Sequence, residues 1–536
     1  MKRLQGLCAS DGIAIGTVKI YQGSQPEIML RRVQDVQREL ALYQFAAEEA
    51  AAELERVYRQ AIREVGKQAA EIFEAQLMLL QDASFGRFIQ EKIVRERVNA
   101  AYAVYCAGEH FAAIFNAMPD ELTRARRMDM KDISGRIISL LEQKDGAGAQ
   151  PEAHIIVCRE ITPGAVMALR STKVLAYITE NGSYQSHAAI LARSMGIPAV
   201  TGVDVSTFTD GMEVAVDGDG GCVYQEPDED IRKELLERVE ASRQREQARR
   251  TLIGTETVTL SGQKVALYAN IGSREEVAAV REQDGEGIGL LRTEFLFLGR
   301  SRMPEEEEQY RTYQYIVEQM QGKPVVIRTL DIGGDKPAKY LPMEPEENPA
   351  LGCRGIRTCL QHRALFMTQL RAILRAAAKG PVSVMFPMIT SVEEVRQAKA
   401  CLEAARQSLE TEGIAHGRVL VGIMVETPAA VMLSRELAEV VDFFSIGTND
   451  LTQYTLAADL QNTSVQVVYD THHPAIMKMI EQVVAGARQA GIPVSICGEL
   501  GADTTVTEAL VHMGIHAFSV NPVKLLEIRE RIRSIS

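Results

Sequence analysis

The chain has 536 residues, which is too long for one ordinary hydrophobic core, so we expect about two to four domains. Its 59 basic and 72 acidic residues give a net charge of -13, which argues against general binding to nucleic acid or to anionic membranes. No apolar run approaches the ~18 residues of a membrane span, the first residues lack a signal-peptide core, and the eight cysteines form no CxxC pair. We therefore expect a cytoplasmic protein with free thiols, without a disulfide framework or a zinc site.

The first 142 residues contain two different patterns. Residues 1–22 are β-like and too few to form a domain, so they are expected to add strands to a later one. Residues 23–142 are rich in Glu, Arg, Ala and Leu with apolar positions at helical spacing, which predicts a helical bundle inserted into the preceding unit. Arg124, Arg126 and Arg127 form a basic cluster that fits either a solvated face or a docking patch.

An α/β pattern follows, and it contains a histidine at the start of a helix. A buried strand is predicted over residues 173–179, and after a short loop a helix begins near Ser186 and ends at Gly196. His187 is thus expected at the N-terminus of this helix, where free N–H groups and the helix dipole would stabilise a phosphoryl group on the imidazole. The alternative is that His187 only caps or packs a turn.

The remainder of the chain reads as a linker helix followed by a barrel. Residues 229–250 are charged and helical, as in an interdomain linker. Beyond residue 255, eight short apolar runs alternate with helical stretches, which is the count and length of a TIM barrel. The runs are 265–270, 287–294, 324–332, 382–387, 419–426, 441–448, 493–497 and 517–520.

Polar side chains stand at the ends of almost all of these runs. They are Asn270, Arg292, Glu294, Arg328, Asp331, Glu426, Asn449, Asp450, Cys497 and Glu499. Active sites of this fold lie at the C-terminal ends of the strands, so these side chains should converge on one pocket. Guanidinium groups suit phosphate or carboxylate, paired carboxylates suit Mg²⁺, and a thiol can give or take a proton. The alternative is a structural ring of ion pairs around a small buried thiol.

The histidine segment carries a resemblance to a known family. Residues 182–187 read Gly-Ser-Tyr-Gln-Ser-His, and residues 196–200 read Gly-Ile-Pro-Ala-Val. This resembles the phosphohistidine loop, Gly-Gly-x-Thr-Ser-His, of the enzyme I family of the sugar phosphotransferase system and of its relatives, pyruvate phosphate dikinase and phosphoenolpyruvate synthase. Ser183 and Gln185 are the two departures from that loop.

The barrel half is similar to the enzyme I family almost letter for letter over residues 287–297, 328–336, 347–357, 423–430 and 443–454. One position departs, since Leu460 stands where the family usually has an arginine that contacts substrate. Losing a bidentate donor to an anion costs about 1.5 to 3 kcal/mol unless another cation substitutes, and Arg354 and Arg357 are the candidates.

The resemblance implies roles for individual barrel residues. Arg292 and Arg328 would bind the phosphate of phosphoenolpyruvate, with Asn449 and Asp450 also in the substrate site. Glu426 and Asp450 would bind Mg²⁺.

The resemblance also implies the chemistry at the histidine and its destination. His187 would accept the phosphoryl group, with Thr162 as a hydrogen-bond partner of the phosphohistidine, and Cys497 would protonate the enolate carbon left behind. The phosphoryl group would then pass to the carrier protein HPr, which in this family docks on the helical domain, and residues 72–82 look like the family's segment there. The barrel domains of the family form homodimers, and we expect the same here.

The resulting prediction is a multidomain α/β chain. It has a phosphohistidine α/β domain (1–22 plus 143–228), an inserted helical HPr-binding domain (23–142), a linker helix (229–254) and a C-terminal TIM (β/α)8 barrel that binds phosphoenolpyruvate (255–536). Two other functions compete with this prediction. Dikinase or synthase chemistry would need a nucleotide-binding domain, for which the sequence shows no glycine-rich loop. A catalytically weak regulatory or scaffold protein that binds HPr-like carriers is suggested by Leu460, Ser183 and Gln185.

Overall fold

The structure is a computed structural model. It describes residues 1–21, 28–117, 121–142, 153–169, 173–182, 186–298, 300, 302–333, 340–341, 344, 346–459, 465 and 468–536. The chain divides into two compact units, residues 1–244 and residues 245–536. None of the helices in the described ranges combines the length and the apolar content that a bilayer crossing requires.

The first unit contains strands and helices in an alternating order after an opening β segment. They are β1 (Lys2–Gln5), β2 (Leu7–Ser10), β3 (Ile13–Ile20), α1 (Val36–Leu80), α2 (Ala83–Glu96), α3 (Ala100–Asn116), α4 (Glu121–Leu141), β4 (His154–Cys158), α5 (Pro163–Leu169), β5 (Val174–Thr179), α6 (His187–Ser194), β6 (Ala199–Thr201), β7 (Glu213–Asp217), β8 (Cys222–Gln225) and α7 (Glu229–Arg250).

The strands of this unit form one sheet in the order β1-β8-β7-β3-β4-β5-β6-β2. Strand β3 pairs parallel to β4 and antiparallel to β7, so the opening segment is built into the sheet that the later residues form. This confirms that the first strands complete a later α/β unit. Helices α1 to α4 come between β3 and β4 and have their own apolar core, which includes Phe85, Ile89, Val104 and Ile137.

The second unit alternates strands and helices to its end. They are β9 (Ala266–Ile271), α8 (Val277–Glu282), β10 (Gly287–Leu291), α9 (Glu306–Gln319), β11 (Val325–Arg328), α10 (Ile356–Gln361), α11 (Arg363–Ala376), β12 (Val382–Phe386), α12 (Val392–Thr411), β13 (Leu420–Val425), α13 (Pro428–Met432), α14 (Ser434–Ala438), β14 (Phe443–Ile446), α15 (Thr448–Leu456), α16 (Pro474–Ala490), β15 (Val494–Ile496), α17 (Thr507–Met513), β16 (Ala517–Val520) and α18 (Leu525–Arg533).

Strands β9 to β16 close into a parallel barrel, so the prediction of a C-terminal TIM barrel is confirmed. Each of the eight apolar runs contains one strand, but most strands end before the polar residue that closes the run. Strand β10, for example, ends at Leu291, and Glu294 follows in a short turn. Most of the polar side chains therefore stand in the loops at the C-terminal ends of the strands, and Asn270 and Arg328 stand in the last residues of β9 and β11. Barrel enzymes place their active sites at this end.

Helix α7 connects the two units and is charged along its length. Near its middle, Arg238 forms a bidentate pair with the buried Asp217 of β7, at 2.6 and 3.0 Å. At its end, Arg249 donates to Glu530 of α18 across 2.7 Å. A charged helix is thus present where the sequence predicts one, with one of these ion pairs within the first unit and the other within the second.

Candidate active site

The predicted histidine begins helix α6 in the first unit. Ser186 caps this helix, because its side-chain oxygen accepts a hydrogen bond from the Ala189 N–H at 3.2 Å. Gly182 precedes the loop with a φ of 148°, and a Cβ there would lie 2.8 Å from Thr201 Oγ1, so a glycine is needed. The backbone of His187 is thus at a capped helix N-terminus, while its imidazole, like Ser183 and Gln185, lies outside the described part of the structure.

Thr162 is hydrogen-bonded to the helical bundle. Its hydroxyl donates to Asp132 Oδ1 of α4 at 2.9 Å and accepts from the Ala165 N–H at 3.1 Å. The other oxygen of Asp132 accepts from the Gly164 N–H at 3.2 Å. Asp132 therefore fixes the start of α5 and orients the hydroxyl proton of Thr162 toward its own carboxylate.

In the barrel, Arg328 is buried among acidic side chains at the end of β11. It donates to Glu294 Oε1 at 3.0 Å and pairs with Asp331 at 3.2 Å, while its Nε has no hydrogen-bond partner in the described residues. Burial lowers the pKa of this guanidinium, but Glu294, Asp331 and two further carboxylates outweigh burial and raise it overall. Arg328 is a fixed positive charge inside the barrel mouth.

A second buried guanidinium, Arg354, enters the same cluster from the loop before α10. It forms a bidentate pair with Asp331, at 2.9 and 3.3 Å, and also donates to Asp450 and to the Tyr454 hydroxyl, both at 3.2 Å. Arg357 points elsewhere, donating to the carbonyls of Leu351 and Gly352. Of the two candidate substitute cations, only Arg354 reaches the cluster.

Glu426 and Asp450 are carboxylates in an environment that disfavours their charge. Glu426 accepts from the Met388 N–H at 2.7 Å, and its other oxygen is buried with no partner among the described residues. Burial raises the pKa of Glu426 well above its usual range, and the neighbouring Asp450 and Asp331 raise it further. Burial likewise raises the pKa of Asp450, although Arg354 opposes the rise.

The charge balance of this cluster fits a bound cation. Among the residues that the structure describes, four carboxylates of this cluster face two buried guanidinium groups, which leaves an excess of negative charge. The described residues contain no group of three or more His, Cys, Asp or Glu side chains arranged for a metal. Glu426, with an unpartnered oxygen, and Asp450 therefore fit a hard cation that takes its other ligands from substrate and water.

Arg292 and Asn449 have donors available at the barrel mouth. Arg292 is exposed, and its guanidinium has no hydrogen bond or ion pair within the described ranges. Asn449 uses its side-chain oxygen to accept from the Glu499 N–H at 3.0 Å, and its amide nitrogen has no partner among the described residues. Unlike Arg328, Arg292 can therefore bind an anion without giving up an existing ion pair.

Cys497 is a buried, neutral thiol that follows β15. It is 4% exposed and packs with Leu290, Met385 and Met424 in the interior of the barrel. Its thiol donates a long bond, 3.4 Å, to the Ile446 carbonyl, and the Ser445 side chain is a further polar neighbour. Burial raises the pKa of Cys497 to about 11, so the thiol holds its proton at neutral pH and is suited to act as an acid.

Two features differ from the sequence-based expectation. Asn270 was grouped with anion or metal ligands, but its amide donates to the backbone carbonyls of Cys497 and Ser519, at 2.9 Å each. Tyr454 was given no role, yet its hydroxyl contacts Arg354. Its position four residues after Asp450 on one helix was the available signal, because such residues lie on the same face. Leu460 lies outside the described residues.

Three family models match successive parts of the chain. They are described as the N-terminal domain (residues 5–126), the mobile domain (residues 150–221) and the PEP-binding domain (residues 245–536) of PEP-utilising enzymes. The last of these covers the whole second unit, including the carboxylate and guanidinium cluster.

Curated relatives match over the full length. The chain is 40% identical to a phosphoenolpyruvate-protein phosphotransferase of Priestia megaterium over 542 residues, which covers all of this chain and 94% of that protein. Proteins with the same name from Geobacillus stearothermophilus and Bacillus subtilis (strain 168) are 40% and 38% identical, again over all of this chain, and are themselves covered to 93% and 95%.

Proposed function

This chain belongs to the phosphoenolpyruvate-protein phosphotransferase family, and from that membership we propose that it transfers the phosphoryl group of phosphoenolpyruvate through His187 to an HPr-like carrier protein. The transfer would be the first step of sugar transport by a phosphotransferase system. The observation that carries the proposal is the cluster at the barrel mouth, in which Glu426 has a buried oxygen with no partner among the described residues and lies beside Asp450 and the buried Arg328.

Substrate binding follows from the charges of this cluster. Arg292 and Arg328 would bind the phosphate of phosphoenolpyruvate, and Asn449 would donate its unpartnered amide to the same anion. Glu426 and Asp450 would hold Mg²⁺, which supplies Lewis-acid neutralisation of charge on the phosphoryl group. Arg328 stays charged at every working pH because the carboxylates around it raise its pKa.

The chemical step breaks the bond between phosphorus and the enol oxygen and forms a bond between phosphorus and a ring nitrogen of His187. The capped N-terminus of α6 supports the phosphorylated imidazole, because first-turn N–H groups and the helix dipole favour negative charge there. Enolpyruvate remains at the barrel, and Cys497 would give the proton of its thiol to the C3 carbon, which yields pyruvate. The thiolate then recovers a proton from water.

The remaining assignments concern the domains. We assign residues 1–22 plus 143–228 to the phosphohistidine domain, 23–142 to carrier binding, 229–254 to the linker and 255–536 to phosphoenolpyruvate. The carrier assignment is supported by Met78 of α1, whose side chain is 56% exposed within the segment that resembles the family's docking site. The barrel would pair in a homodimer, and the protein would act in the cytoplasm.

Incubation with Mg²⁺ and phosphoenolpyruvate labelled in its phosphate tests the phosphoryl transfer. We expect acid-labile label on the wild type that is absent from His187→Ala and retained by His512→Ala, which replaces an exposed histidine of the barrel. The label should pass to added HPr without any nucleotide. If saturating substrate leaves the wild type unlabelled while carrier binding is intact, the scaffold function replaces the proposed one.

Carrier docking has a separate test. Met78→Ala should accept label at the wild-type rate and pass it to HPr several-fold more slowly, because it removes apolar contact area and leaves the barrel unchanged. The matched variant is Met432→Ala, which removes an exposed methionine of the barrel (67% exposed). Equal transfer rates for the two variants would contradict docking on α1.

A further inference from the structure

We infer that Asn270 is a positioning residue that holds the backbone of Cys497, and with it the thiol, in place for proton transfer. The role of the thiol rests on the function proposed above, whereas the bonds that hold the backbone do not. Asn270 stands at the end of β9 with its side chain facing the barrel interior, since Leu267, Ala269 and Ile271 on the alternate positions face the outer core.

The three hydrogen bonds of this side chain join three strand ends. The Asn270 amide nitrogen donates to the Cys497 carbonyl and to the Ser519 carbonyl, both at 2.9 Å. Its side-chain oxygen accepts from the Ser519 hydroxyl at 2.6 Å. A primary amide suits this position because both of its N–H groups donate to carbonyl oxygens, which can only accept hydrogen bonds.

The Cys497 carbonyl needs such a partner because the sheet ladder ends before it. The last register pair between β15 and β16 is Ile496 with Phe518. On the other side, the Cys497 N–H donates to the Ile446 carbonyl of β14 at 3.0 Å. Asn270 reaches past β16 from β9 and holds the carbonyl side, so the Cys497 peptide group is fixed on both sides.

The loop that follows cannot supply this support by itself. Gly498 passes so close to Thr448 that a Cβ on the glycine would overlap the threonine hydroxyl, so the residue that follows Cys497 has no side chain to hold it in place. The thiol has a 3.4 Å bond to the Ile446 carbonyl and the Ser445 side chain as a polar neighbour, and S–H is a weak donor. The direction of the thiol is therefore set mainly by the peptide group that Asn270 holds.

In the proposed reaction, the bond between sulfur and hydrogen breaks as a bond forms between C3 of enolpyruvate and that hydrogen. The same step in reverse lets the thiolate remove a proton from the methyl group of pyruvate. Exchange of the pyruvate methyl protons with deuterated solvent thus reports on Cys497 separately from phosphoryl transfer. Misplacing a reacting group by about 1 Å costs on the order of 10²-fold in rate.

The test uses Asn270→Asp, which keeps the shape but places acceptors against two carbonyl oxygens. The matched control is Ser519→Ala, which removes the bond to the Asn270 oxygen and leaves both N–H donors in place. Two measurements are made on the full chain: pyruvate methyl exchange in the presence of Mg²⁺, and iodoacetamide alkylation of individual cysteines by peptide mass spectrometry. Cys359 and Cys401, both buried in helices of the barrel, are internal references for general loosening.

We expect Asn270→Asp to slow methyl exchange about 100-fold and to speed alkylation of Cys497 about tenfold, with Cys359 and Cys401 unchanged. Ser519→Ala should stay within about threefold of wild type on both measurements. Equal alkylation of Cys497 in Asn270→Asp and wild type would overturn the inference, and so would faster alkylation of all three cysteines together, which indicates a merely structural role. If the wild type itself shows neither exchange nor label from phosphoenolpyruvate, the proposed function fails, and the alkylation pattern still decides whether Asn270 holds Cys497.

Discussion

Arg354 donates to Asp450 across 3.2 Å, and Asp450 is one of the two carboxylates that we propose as ligands of Mg²⁺. The same guanidinium forms a bidentate pair with Asp331, whose side chain is 3% exposed. Arg354 thus neutralises two carboxylates in the substrate-free barrel. Because Arg354 is also the candidate cation that reaches this cluster, it connects the stability of the site with its affinity for anions.

Replacing this guanidinium should destabilise the barrel. Arg354→Ala removes the cation that pairs with Asp450 and leaves the buried Asp331 with Arg328 alone. Breaking a buried pair by removing one partner costs about 3 to 5 kcal/mol. The free energy of unfolding, measured in urea and followed by hydrogen exchange of barrel peptides, should fall by that amount at neutral pH. Arg357→Ala is the control, since its nearest carboxylate, Glu394, lies 3.9 Å away and its side chain is 40% exposed.

The control should cost less than about 1 kcal/mol, as is usual for exposed ion pairs. Similar losses in the two variants would mean that Arg354 contributes only packing, and its pairing with Asp331 and Asp450 would not govern the stability of the site.

The barrel could be predicted from sequence because parallel strands buried on both faces are continuous apolar runs. All eight runs contain strands, including short ones such as β15. The apolar runs extend further along the chain than the strands do, as in the run that ends at Glu294. The reason is that polar functional residues directly follow these strands. Their convergence on one pocket followed from the fold, since the C-terminal ends of barrel strands meet.

The pairing of the site residues could not be predicted from the sequence. Arg292 and Arg328 carry the same side chain at the same kind of position, yet one is exposed and unpaired among the described residues and the other is buried with Glu294 and Asp331. Asn270 bonds a carbonyl 227 residues away. Which partner a polar group finds depends on distances between strand ends, and nothing in the local pattern encodes those distances.

Mg²⁺ should stabilise the barrel more as pH rises. The folded state raises the pKa of Glu426 above its ordinary 4.5, so this group takes up a proton on folding. Without metal, its contribution to stability is complete below about pH 4 and is lost as pH rises through the raised pKa. Mg²⁺ replaces that proton, so the shift in unfolding temperature between Mg²⁺ and chelator should grow from pH 5.5 to pH 8.5.

Glu426→Gln should remove most of this shift, because a neutral amide neither binds the proton nor attracts the cation. Glu393→Gln, which neutralises a side chain that is 64% exposed, should keep the wild-type shift. A shift that does not vary with pH, or one that survives in Glu426→Gln, would exclude Glu426 as a ligand.

The buried contact between Gln76 of α1 and Asp129 of α4 should make the stability of the helical bundle depend on pH. The bundle should become less stable as pH rises. The Gln76 amide nitrogen donates to Asp129 Oδ1 at 3.1 Å, while the Gln76 oxygen and Asp129 Oδ2 are buried with no partner in the described residues. A proton on Asp129 Oδ2 would join these two oxygens and complete an acid–amide ring. The pKa of Asp129 is raised to about 7, mainly by burial and also by Asp132, while the hydrogen bond from Gln76 and the charge of Arg126 oppose the rise.

Because the folded pKa is raised, the stability from this proton is complete below about pH 4 and is lost as pH rises to about 7. The loss should be on the order of 2 to 4 kcal/mol. Asp129→Asn can form the same ring without a proton, so its α1 and α4 peptides should become better protected from hydrogen exchange than those of wild type between pH 5 and pH 8. Glu109→Gln, at an exposed position of α3, serves as the control.

Parallel pH profiles for wild type and Asp129→Asn would show that Asp129 is ionised throughout this range and that no such ring forms.

The final prediction concerns Arg529 of α18, which is fully buried and anchors the segment that enters the barrel. It pairs with Asp284 at 2.7 Å and donates to the carbonyls of Leu252 and Asp284 and to the hydroxyl of Thr257. Arg529→Met should lower the free energy of unfolding by about 3 to 5 kcal/mol, since the carboxylate, the two carbonyls and the hydroxyl all lose the guanidinium that donates to them. Arg529→Lys should recover little of this, because an ammonium cannot reproduce the planar fork.

Arg531 offers a matched control on the same helix. It pairs with Glu508 at 2.7 Å, but both side chains are well exposed, at 32% and 43%, so Arg531→Ala should cost less than about 1 kcal/mol. Urea denaturation of the three variants and wild type, followed through barrel peptides, gives the comparison. A loss in Arg529→Met no larger than that in Arg531→Ala would mean that the connection between residues 252–257 and the barrel depends on apolar packing alone.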